Sequence, residues 1–389
     1  MTKIIPGLCL LTLLLGVLGA GAKQSKKEYA YQYEWPEMDI RIPRASLDEP
    51  KLGEFNPKVA ADYMDQGARI WTGTKKCVSC HTNGTYMLMR PRLTPYMGAP
   101  PAETRQFSVD QLQTLQNTPR HKFARGVGAA QSVWIAASLA EWDHHVTKAL
   151  SPETEKSLSF MLDLQRPIGT WASPDCWPPF ESSAYQVATV AATALGTAPG
   201  WLASLRAPDL LARVDQLKLY LRNTPPPHDY GRVLLLWAST RLSGLLNLDE
   251  ACEIRDLIWS RQQSDGGWAI RSFAEPEQWG RGNRGEKLRG EPEFADPPSD
   301  GHMTGLAILV LRDSGVPAGD VGIQRAVQWL LSNQRQSGRW WTRSLNTDTY
   351  HFITFSATCY GLLALAKCNA LEDEKGGRAA SVSGENAGS

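Results

Sequence analysis

Apolar residues recur at helical spacing along most of the chain, and the helical stretches come in pairs joined by short turns. Apolar residues at i, i+3, i+4 and i+7 are typical of helices that bury one face. The pattern therefore predicts a series of helix pairs, as in repeat proteins built from one hairpin after another. The pairs are 156–171 with 182–196, 256–268 with 302–315, and 325–340 with 352–367; a degenerate pair, 214–223 with 229–246, is broken at Thr224-Pro225-Pro226-Pro227.

Three of the turns carry the same motif, Q-x-x-x-G-x-W. Glycine commonly ends a helix because it adopts a left-handed backbone conformation without steric cost. Since each copy stands between an apolar first helix and an apolar second helix, the motif marks the same point of a repeated hairpin. The copies are Gln165/Gly169/Trp171, Gln262/Gly266/Trp268 and Gln334/Gly338/Trp340.

This spacing resembles the QW motif of the squalene–hopene cyclase and protein prenyltransferase superfamily, and the resemblance covers about residues 60–368. It implies an all-α fold, an incomplete α/α toroid (terpenoid cyclase-like) of about five helix hairpins, with inner helices around a central cavity. It also implies that the Gln and Trp of each motif are structural. The D-x-D-D and D-D-x-x-D motifs of cyclases and prenyl-diphosphate enzymes do not occur in the sequence, so ordinary cyclase or prenyltransferase activity is not expected.

The two ends of the chain differ from the predicted toroid, which spans 59–370. Residues 1–22 have the basic start, apolar run and small residues of a signal peptide, with a retained anchor helix as the alternative. We expect an exported protein, periplasmic or beyond, with no transmembrane segment after cleavage. Residues 23–58, rich in proline and charge, predict an extended arm, and 371–389 a disordered tail.

The strongest chemical signal is Cys77-Val78-Ser79-Cys80-His81, a C-x-x-C-H motif. Two thiols at this spacing reach both vinyl groups of one haem, and the adjacent imidazole ligates the iron from the same turn. The sequence therefore predicts one covalent haem c, attached through Cys77 and Cys80 and ligated by His81, in a loop at 72–98. A zinc knuckle, a thioredoxin-like pair and a disulfide between the two cysteines are the alternatives.

The motif falls where the first hairpin should turn. In a ring of hairpins all such turns lie at one end, so we expect the haem beside the starts of the inner helices. Arg90 and Arg92 could pair with its propionates or lie in a solvated loop. The register rests on matching Ala68, Trp71 and Lys76 of the first hairpin to Ala326, Trp329 and Gln334 of the last.

The sixth ligand of the iron has several candidates. His302 and His351 fall near predicted inner-helix starts and rank slightly ahead of His121 and Met97. Imidazole and thioether groups are the usual axial ligands of haem iron. An open sixth position is an equal alternative.

Asp300, His302 and His351 permit a second interpretation. Protein prenyltransferase β-subunits bind zinc through an Asp and a Cys two residues apart and a later His, and the three residues here resemble that set with His in place of Cys. Histidine binds zinc. Glu181 and Asp300 are also candidates for a catalytic acid in an apolar pocket.

Charge excludes one class of partner. The chain has 41 Lys and Arg against 40 Asp and Glu, and without a basic excess nucleic acid is not an expected partner.

From the haem motif and the resemblance to the toroids, we expect electron transfer or haem redox chemistry near an apolar cavity, with a redox partner protein or a small apolar molecule as partner. A non-redox ligand-binding protein and a cyclase- or prenyltransferase-like metalloenzyme are the alternatives.

Overall fold

The computed structural model describes residues 31–175, 177–180 and 183–371. The predicted signal peptide lies outside these residues, as does the predicted tail after residue 371. The described chain is helical apart from one two-stranded sheet. None of the described helices combines the length and the apolar character needed to cross a bilayer.

The helices and strands have the following bounds. The sheet comprises β1 (Tyr31–Trp35) and β2 (Ile40–Pro43). The helices are α1 (Pro57–Lys75), α2 (Asn83–Met89), α3 (Thr94–Met97), α4 (Ala102–Gln116), α5 (Gly128–Trp142), α6 (Pro152–Asp163), α7 (Ala184–Thr197), α8 (Trp201–Ser204), α9 (Pro208–Asn223), α10 (Asp229–Ser239), α11 (Leu248–Ser260), α12 (Gly285–Arg289), α13 (Gly301–Asp313), α14 (Val321–Asn333) and α15 (Ile353–Lys367). Short helical turns lie at Pro36–Met38, Pro91–Leu93, Arg120–Ala124, Asp143–Thr147, Ile270–Phe273 and Pro276–Gly282.

The long helices form two concentric rings. The inner ring runs α2, α5, α7, α10, α13, α15 and closes where α15 packs on α2. The outer helices α1, α4, α6, α9, α11 and α14 each precede one inner helix along the chain. Outer α11 buries only Ile254 and Ile258, whereas α15 is buried over almost its whole length, as expected of a helix surrounded by protein. The predicted all-α fold, an α/α toroid, is confirmed, with six hairpins in the described chain where about five were expected.

The axis of the ring is packed rather than open. A cavity lined by side chains of α2, α5, α7, α10 and α15 has a volume of about 30 Å³, enough for a water molecule but not for a larger ligand. The central cavity that the family resemblance implies is therefore almost filled along the axis.

The QW turns act as staples. In each, the indole Nε1 donates 2.7 Å to the carbonyl ten residues earlier in the outer helix, and the Gln side chain donates to the carbonyl of the motif glycine and to the next outer helix or its cap. The indole bonds are Trp171 to Met161, Trp268 to Ile258 and Trp340 to Leu330. The inter-helix bonds are Gln165 to Arg213, Gln262 to Gly322 and Gln334 to Asn56.

The last staple closes the ring. Asn56 caps the start of α1, and its carbonyl accepts from Gln334 Nε2 at 2.9 Å while its N–H donates to Gln334 Oε1 at 2.8 Å. A Cβ on Gly338 would lie 2.4 Å from the Val59 carbonyl, and its φ is +89°, so glycine is required there. The first and last hairpins are thus joined across 278 residues of sequence.

The described part of the predicted arm is a β-hairpin followed by an irregular stretch. Strands β1 and β2 pair antiparallel and contact α1. Buried Arg339 fixes the arm by donating to the Pro43 carbonyl at 2.8 Å, to the Arg44 carbonyl at 3.1 Å and to Glu49 at 2.7 Å. The arm is therefore attached to the ring by the turn that precedes α15.

Two expectations about local structure are corrected. The segment 72–98, expected as a loop, is mostly helical, because α1 continues to Lys75 and α2, a short turn and α3 follow. The return helix expected over 229–246 ends at Ser239. The segment between α11 and α13, which includes α12, packs against the rest of the chain, since Trp279 within it is fully buried.

Candidate functional site

The C-x-x-C-H motif forms a tight turn between α1 and α2. Lys76, with a φ of +54°, caps the end of α1. The Asn83 side chain accepts from the Ser79 N–H at 2.8 Å and donates to the Cys77 carbonyl at 3.0 Å. A Cβ on Gly84 would lie 2.6 Å from the Ser79 carbonyl oxygen. The turn is therefore held by its own hydrogen bonds and by one glycine, which fixes where the motif side chains lie.

A cavity of about 420 Å³ lies beside this turn, within the size range of small-molecule and cofactor sites. Its walls come from the segments that lead into α2, α5, α7 and α15, so it opens at the end of the ring where these inner helices begin. Aromatic, aliphatic and proline side chains dominate the lining. The lining residues are Trp71, Cys77, Val78, Ser79, Cys80, His81, Val127, Gln131, Trp177, Pro178, Pro179, Phe180, Ser344, Asn346, Thr347, Tyr350, Phe352 and Ile353.

His81 is oriented by two aromatic rings and one hydroxyl. Its ring stacks on Phe352 at a centroid distance of 4.6 Å and 18° and meets Trp71 edge-on at 4.7 Å. Nδ1 lies 2.8 Å from the Thr82 hydroxyl oxygen. Burial lowers the pKa of His81 to about 3, so the imidazole is neutral at physiological pH. With Nδ1 engaged, Nε2 is the nitrogen available to a metal.

The two cysteines line the same cavity. Cys77 is half-buried and Cys80 buried, and no disulfide joins them. Burial raises the pKa of the Cys77 thiol. Among the described residues no group of three His, Cys, Asp or Glu side chains could hold a metal ion.

His302, expected near the iron, is fully buried behind the cavity wall. Its Nε2 lies 3.0 Å from the Tyr230 hydroxyl and its Nδ1 2.8 Å from the Ser356 hydroxyl. Its ring packs edge-on against Phe180, which lines the cavity. Both ring nitrogens are therefore used in the core, and the side chain does not reach the cavity.

The other expected sixth ligands also lie away from the cavity lining. His351 accepts at Nδ1 from the Ser344 N–H at 3.0 Å and packs on Trp341 at 4.7 Å. His121 is exposed in the turn Arg120–Ala124, and Met97 ends α3. A position near a helix start, which is what the sequence shows, does not determine the direction in which a side chain points.

Asp300 is a helix cap rather than a metal ligand. One carboxylate oxygen accepts from the Met303 N–H at 2.9 Å and the Thr342 hydroxyl at 3.2 Å, and the other from the Ile270 N–H at 2.6 Å. Burial raises the pKa of Asp300 to about 6. The expected Asp300, His302 and His351 metal set is not assembled, because each has other partners. Glu181 lies outside the described residues.

Arg90 and Arg92, expected beside propionates or in a solvated loop, are buried near the opposite ends of the inner helices. Arg92 pairs with Asp313 at 2.9 Å. Arg90 pairs with Asp65 at 3.4 Å and donates to the carbonyls of Gly98 and Met97. Both arginines are therefore paired within the ring, as charged side chains buried at this depth need to be.

Two side chains around the motif were missed in the sequence analysis. Tyr33 of the arm lies 3.1 Å from the Thr82 hydroxyl, and Phe352 stacks on His81. The sequence signal for Phe352 was its place at the start of a predicted inner helix. For Tyr33 no local signal existed, since its contacts depend on how the arm folds back onto the ring.

Comparison with known proteins supports the fold. No protein-family model and no curated protein matches the chain. A glycosidase in complex with glucose has a TM-score of 0.51 and 10% identity, over 81% of this chain and 98% of that one. An unsaturated glucuronyl hydrolase specific for heparin has a TM-score of 0.51 and 11% identity, over 81% and 96%. A type II terpene cyclase from Scytonema has a TM-score of 0.45 and 12% identity, over 80% and 98%. At such identities the likeness to the first two structures shows the fold alone.

Proposed function

We propose that this chain is an exported c-type haem protein whose one haem is attached through Cys77 and Cys80, with His81 as a ligand of the iron. The observation that carries the proposal is that all three side chains line one largely apolar cavity of about 420 Å³. A C-x-x-C-H turn with a structural role alone would have no need of such a space beside it.

The donor set fits a haem. A ligating histidine usually donates its second ring N–H to a neighbouring oxygen, which fixes its orientation, and the Thr82 hydroxyl is in place at 2.8 Å from Nδ1. The neutral imidazole and the two thiols are the groups that attachment requires. Ser79 adds a buried hydroxyl on the cavity lining without a partner among the described residues, which a bound group could satisfy.

When bound, a haem would supply one-electron chemistry or the binding of a small ligand to iron. The chain's own residues would keep water from it: Phe180, Phe352 and Ile353 form an apolar wall, and Trp177, about half exposed, stands at the mouth. These surroundings favour redox exchange with a partner protein or an apolar molecule at the mouth. A non-redox binding protein for an apolar ligand would use the same cavity and is the second candidate.

The test is expression of the full chain with a haem-maturation system. We expect haem that stays with the polypeptide after denaturation, and oxidised and reduced spectra of a c-type haem. Cys80→Ala should remove at least one of the two covalent links, whereas Cys252→Ala, at an exposed site on α11, should leave attachment unchanged. Carbon monoxide would report whether the sixth position is open.

The outcome that overturns the proposal is protein that matures fully, folds, and carries no covalent haem. Haem that attaches but cannot be reduced or reoxidised would instead favour the binding protein over the redox protein. Export is tested by comparing the mature N-terminus with residue 23. Retention of residues 1–22 would contradict the expected signal cleavage.

A further inference from the structure

A hydrogen-bonded chain connects the N-terminal arm to His81. The Tyr33 hydroxyl lies 3.1 Å from Thr82 Oγ1, and Thr82 Oγ1 lies 2.8 Å from His81 Nδ1. Tyr33 and Thr82 are buried, with 4% and 0% of their surfaces exposed. Burial keeps bulk water from these groups, although the Gln32 side chain also lies beside the Tyr33 hydroxyl. The hydrogen-bonded chain crosses 49 residues of sequence.

We propose that Tyr33 of the arm is a positioning residue for the iron ligand His81, acting through the Thr82 hydroxyl. The inference rests on the proposed function, because His81 has an electronic role to tune only if it ligates iron. Tyr33 touches neither the cavity nor its contents, since it is absent from the lining. Its effect would be transmitted through Thr82.

The chemistry of the chain gives the effect a direction. If iron were bound at Nε2, the Nδ1–H would donate to Thr82 Oγ1, and this hydrogen bond would make the imidazole a stronger electron donor. A stronger donor stabilises the oxidised iron. Outer-shell partners of this kind orient a ligating histidine and raise its basicity. The Thr82 hydroxyl has its own proton and lone pairs to place, and Tyr33 is the partner that holds it toward Nδ1.

The packing around Tyr33 shows why it keeps this position. Its ring lies 5.6 Å from Phe352, 6.0 Å from Phe355 and 6.4 Å from Trp71. Phe352 and Trp71 are the two rings that also contact His81. The arm thus delivers a hydroxyl to the back of the ligand and packs against the same aromatic cluster that orients its ring.

The test compares reduction potentials and spin-state spectra of the haem-loaded full chain. Thr82→Val should raise the midpoint potential, because Nδ1–H loses its acceptor, and Thr82→Ser should restore the parent value. Tyr33→Phe should give a smaller rise, because the Thr82 hydroxyl remains but is no longer held. On the Thr82→Val background, Tyr33→Phe should add nothing further.

Tyr63→Phe is the matched control. Tyr63 is equally buried and packs on Phe355 at 5.7 Å, but no hydrogen bond joins it to Thr82, so its removal should leave the potential unchanged. The inference is wrong if Thr82→Val and Tyr33→Phe keep the parent potential and spectrum, or if Tyr33→Phe shifts the potential equally with and without Thr82. A parent protein that holds no covalent haem would instead overturn the proposed function itself.

Discussion

The turns of the last and the first hairpins of the ring use their side chains differently. At the last turn, Trp340 is fully buried and bonded to the Leu330 carbonyl, and Gln334 makes reciprocal bonds with Asn56. At the first turn, the corresponding stretch carries Cys77 to His81 beside a cavity of about 420 Å³. The polar groups of the last turn join helices by hydrogen bonds, whereas the first turn presents reactive side chains to the cavity.

The difference shows how a repeat can acquire a site without losing its fold. The first turn still has a link to its outer helix, because Trp71 Nε1 donates to the Cys77 carbonyl at 3.2 Å, and α2 is further tied to α1 by Tyr86 donating to Asp65 at 2.8 Å. The ring is closed elsewhere, by Gln334 on Asn56. The first turn is also bonded to the next hairpin, because Gln131 Nε2 of α5 donates to the Val78 carbonyl at 2.8 Å. These links use backbone carbonyls of the turn, which leaves its cysteine and histidine side chains beside the cavity.

The most direct way to break the comparison is Trp340→Ala. The substitution removes a fully buried indole and its hydrogen bond to the Leu330 carbonyl, and should lower the free energy of unfolding by about 3–5 kcal/mol. Trp177 is 46% exposed at the cavity mouth, so Trp177→Ala should lower the free energy of unfolding by less than about 1 kcal/mol. Denaturant unfolding of the haem-free proteins measures both. Equal costs would show that the staple turn is no more structural than the cavity mouth.

His302, which lies behind the cavity wall, can gain a proton as the pH falls, whereas the Gln and Trp side chains of the staples cannot. Burial lowers the pKa of His302 to about 3, below the unfolded value of about 6.5. The unfolded chain therefore binds the proton first, and the stability that neutral His302 allows is present above pH 6.5 and lost as the pH falls toward 3. By pH 4 the loss should reach about 3 kcal/mol.

His302→Gln should flatten this part of the pH dependence. Glutamine can still bond to Tyr230 and Ser356 but does not titrate, so the gap in unfolding free energy between the variant and the parent should narrow or reverse between pH 6.5 and pH 4. Gln334→Ala is the control, because it leaves the titrating groups unchanged. Gln262→Glu would not serve, because it adds a charge. Parallel curves for His302→Gln and the parent would show that His302 is not kept neutral by burial.

Whether a feature of the fold or of the site could be predicted from the sequence depends on how far apart in the sequence the interacting residues lie. The staples could be predicted because the motif formed by Gln334, Gly338 and Trp340 occurs in three copies with the same short spacing. His302 was wrongly expected near the iron for a different reason. A position at a helix start shows at which end of the ring a residue lies, but not which face of the helix its side chain occupies. The His302 side chain points toward Ser356 rather than the cavity. The role of Tyr33 depends on the arm folding back over 49 residues, which no local pattern encodes.

Gln334→Ala tests the closure of the ring by itself. It removes both bonds to Asn56 and the bond to the Gly338 carbonyl at 3.1 Å, leaving backbone groups at the start of α1 without partners. The expected cost is about 1–3 kcal/mol. Gln336→Ala, at an exposed position two residues further on, is the matched control and should be nearly neutral. Similar costs for the two variants would mean that the ring does not depend on this staple.

The smallest effect on stability is expected at the first turn. Cys77 is half-buried and faces a cavity that is already open, so Cys77→Ala in the haem-free protein should change the unfolding free energy by less than about 0.5 kcal/mol. Cys359→Ala makes the same chemical change at a fully buried position on α15 and should cost about 1–2 kcal/mol, because it leaves a cavity among packed neighbours. If Cys77→Ala cost as much, the first turn would be part of the packed core like the staples. A small cost would mean that the thiol at this position contributes little to the fold, and that the reason for a cysteine there lies in its chemistry.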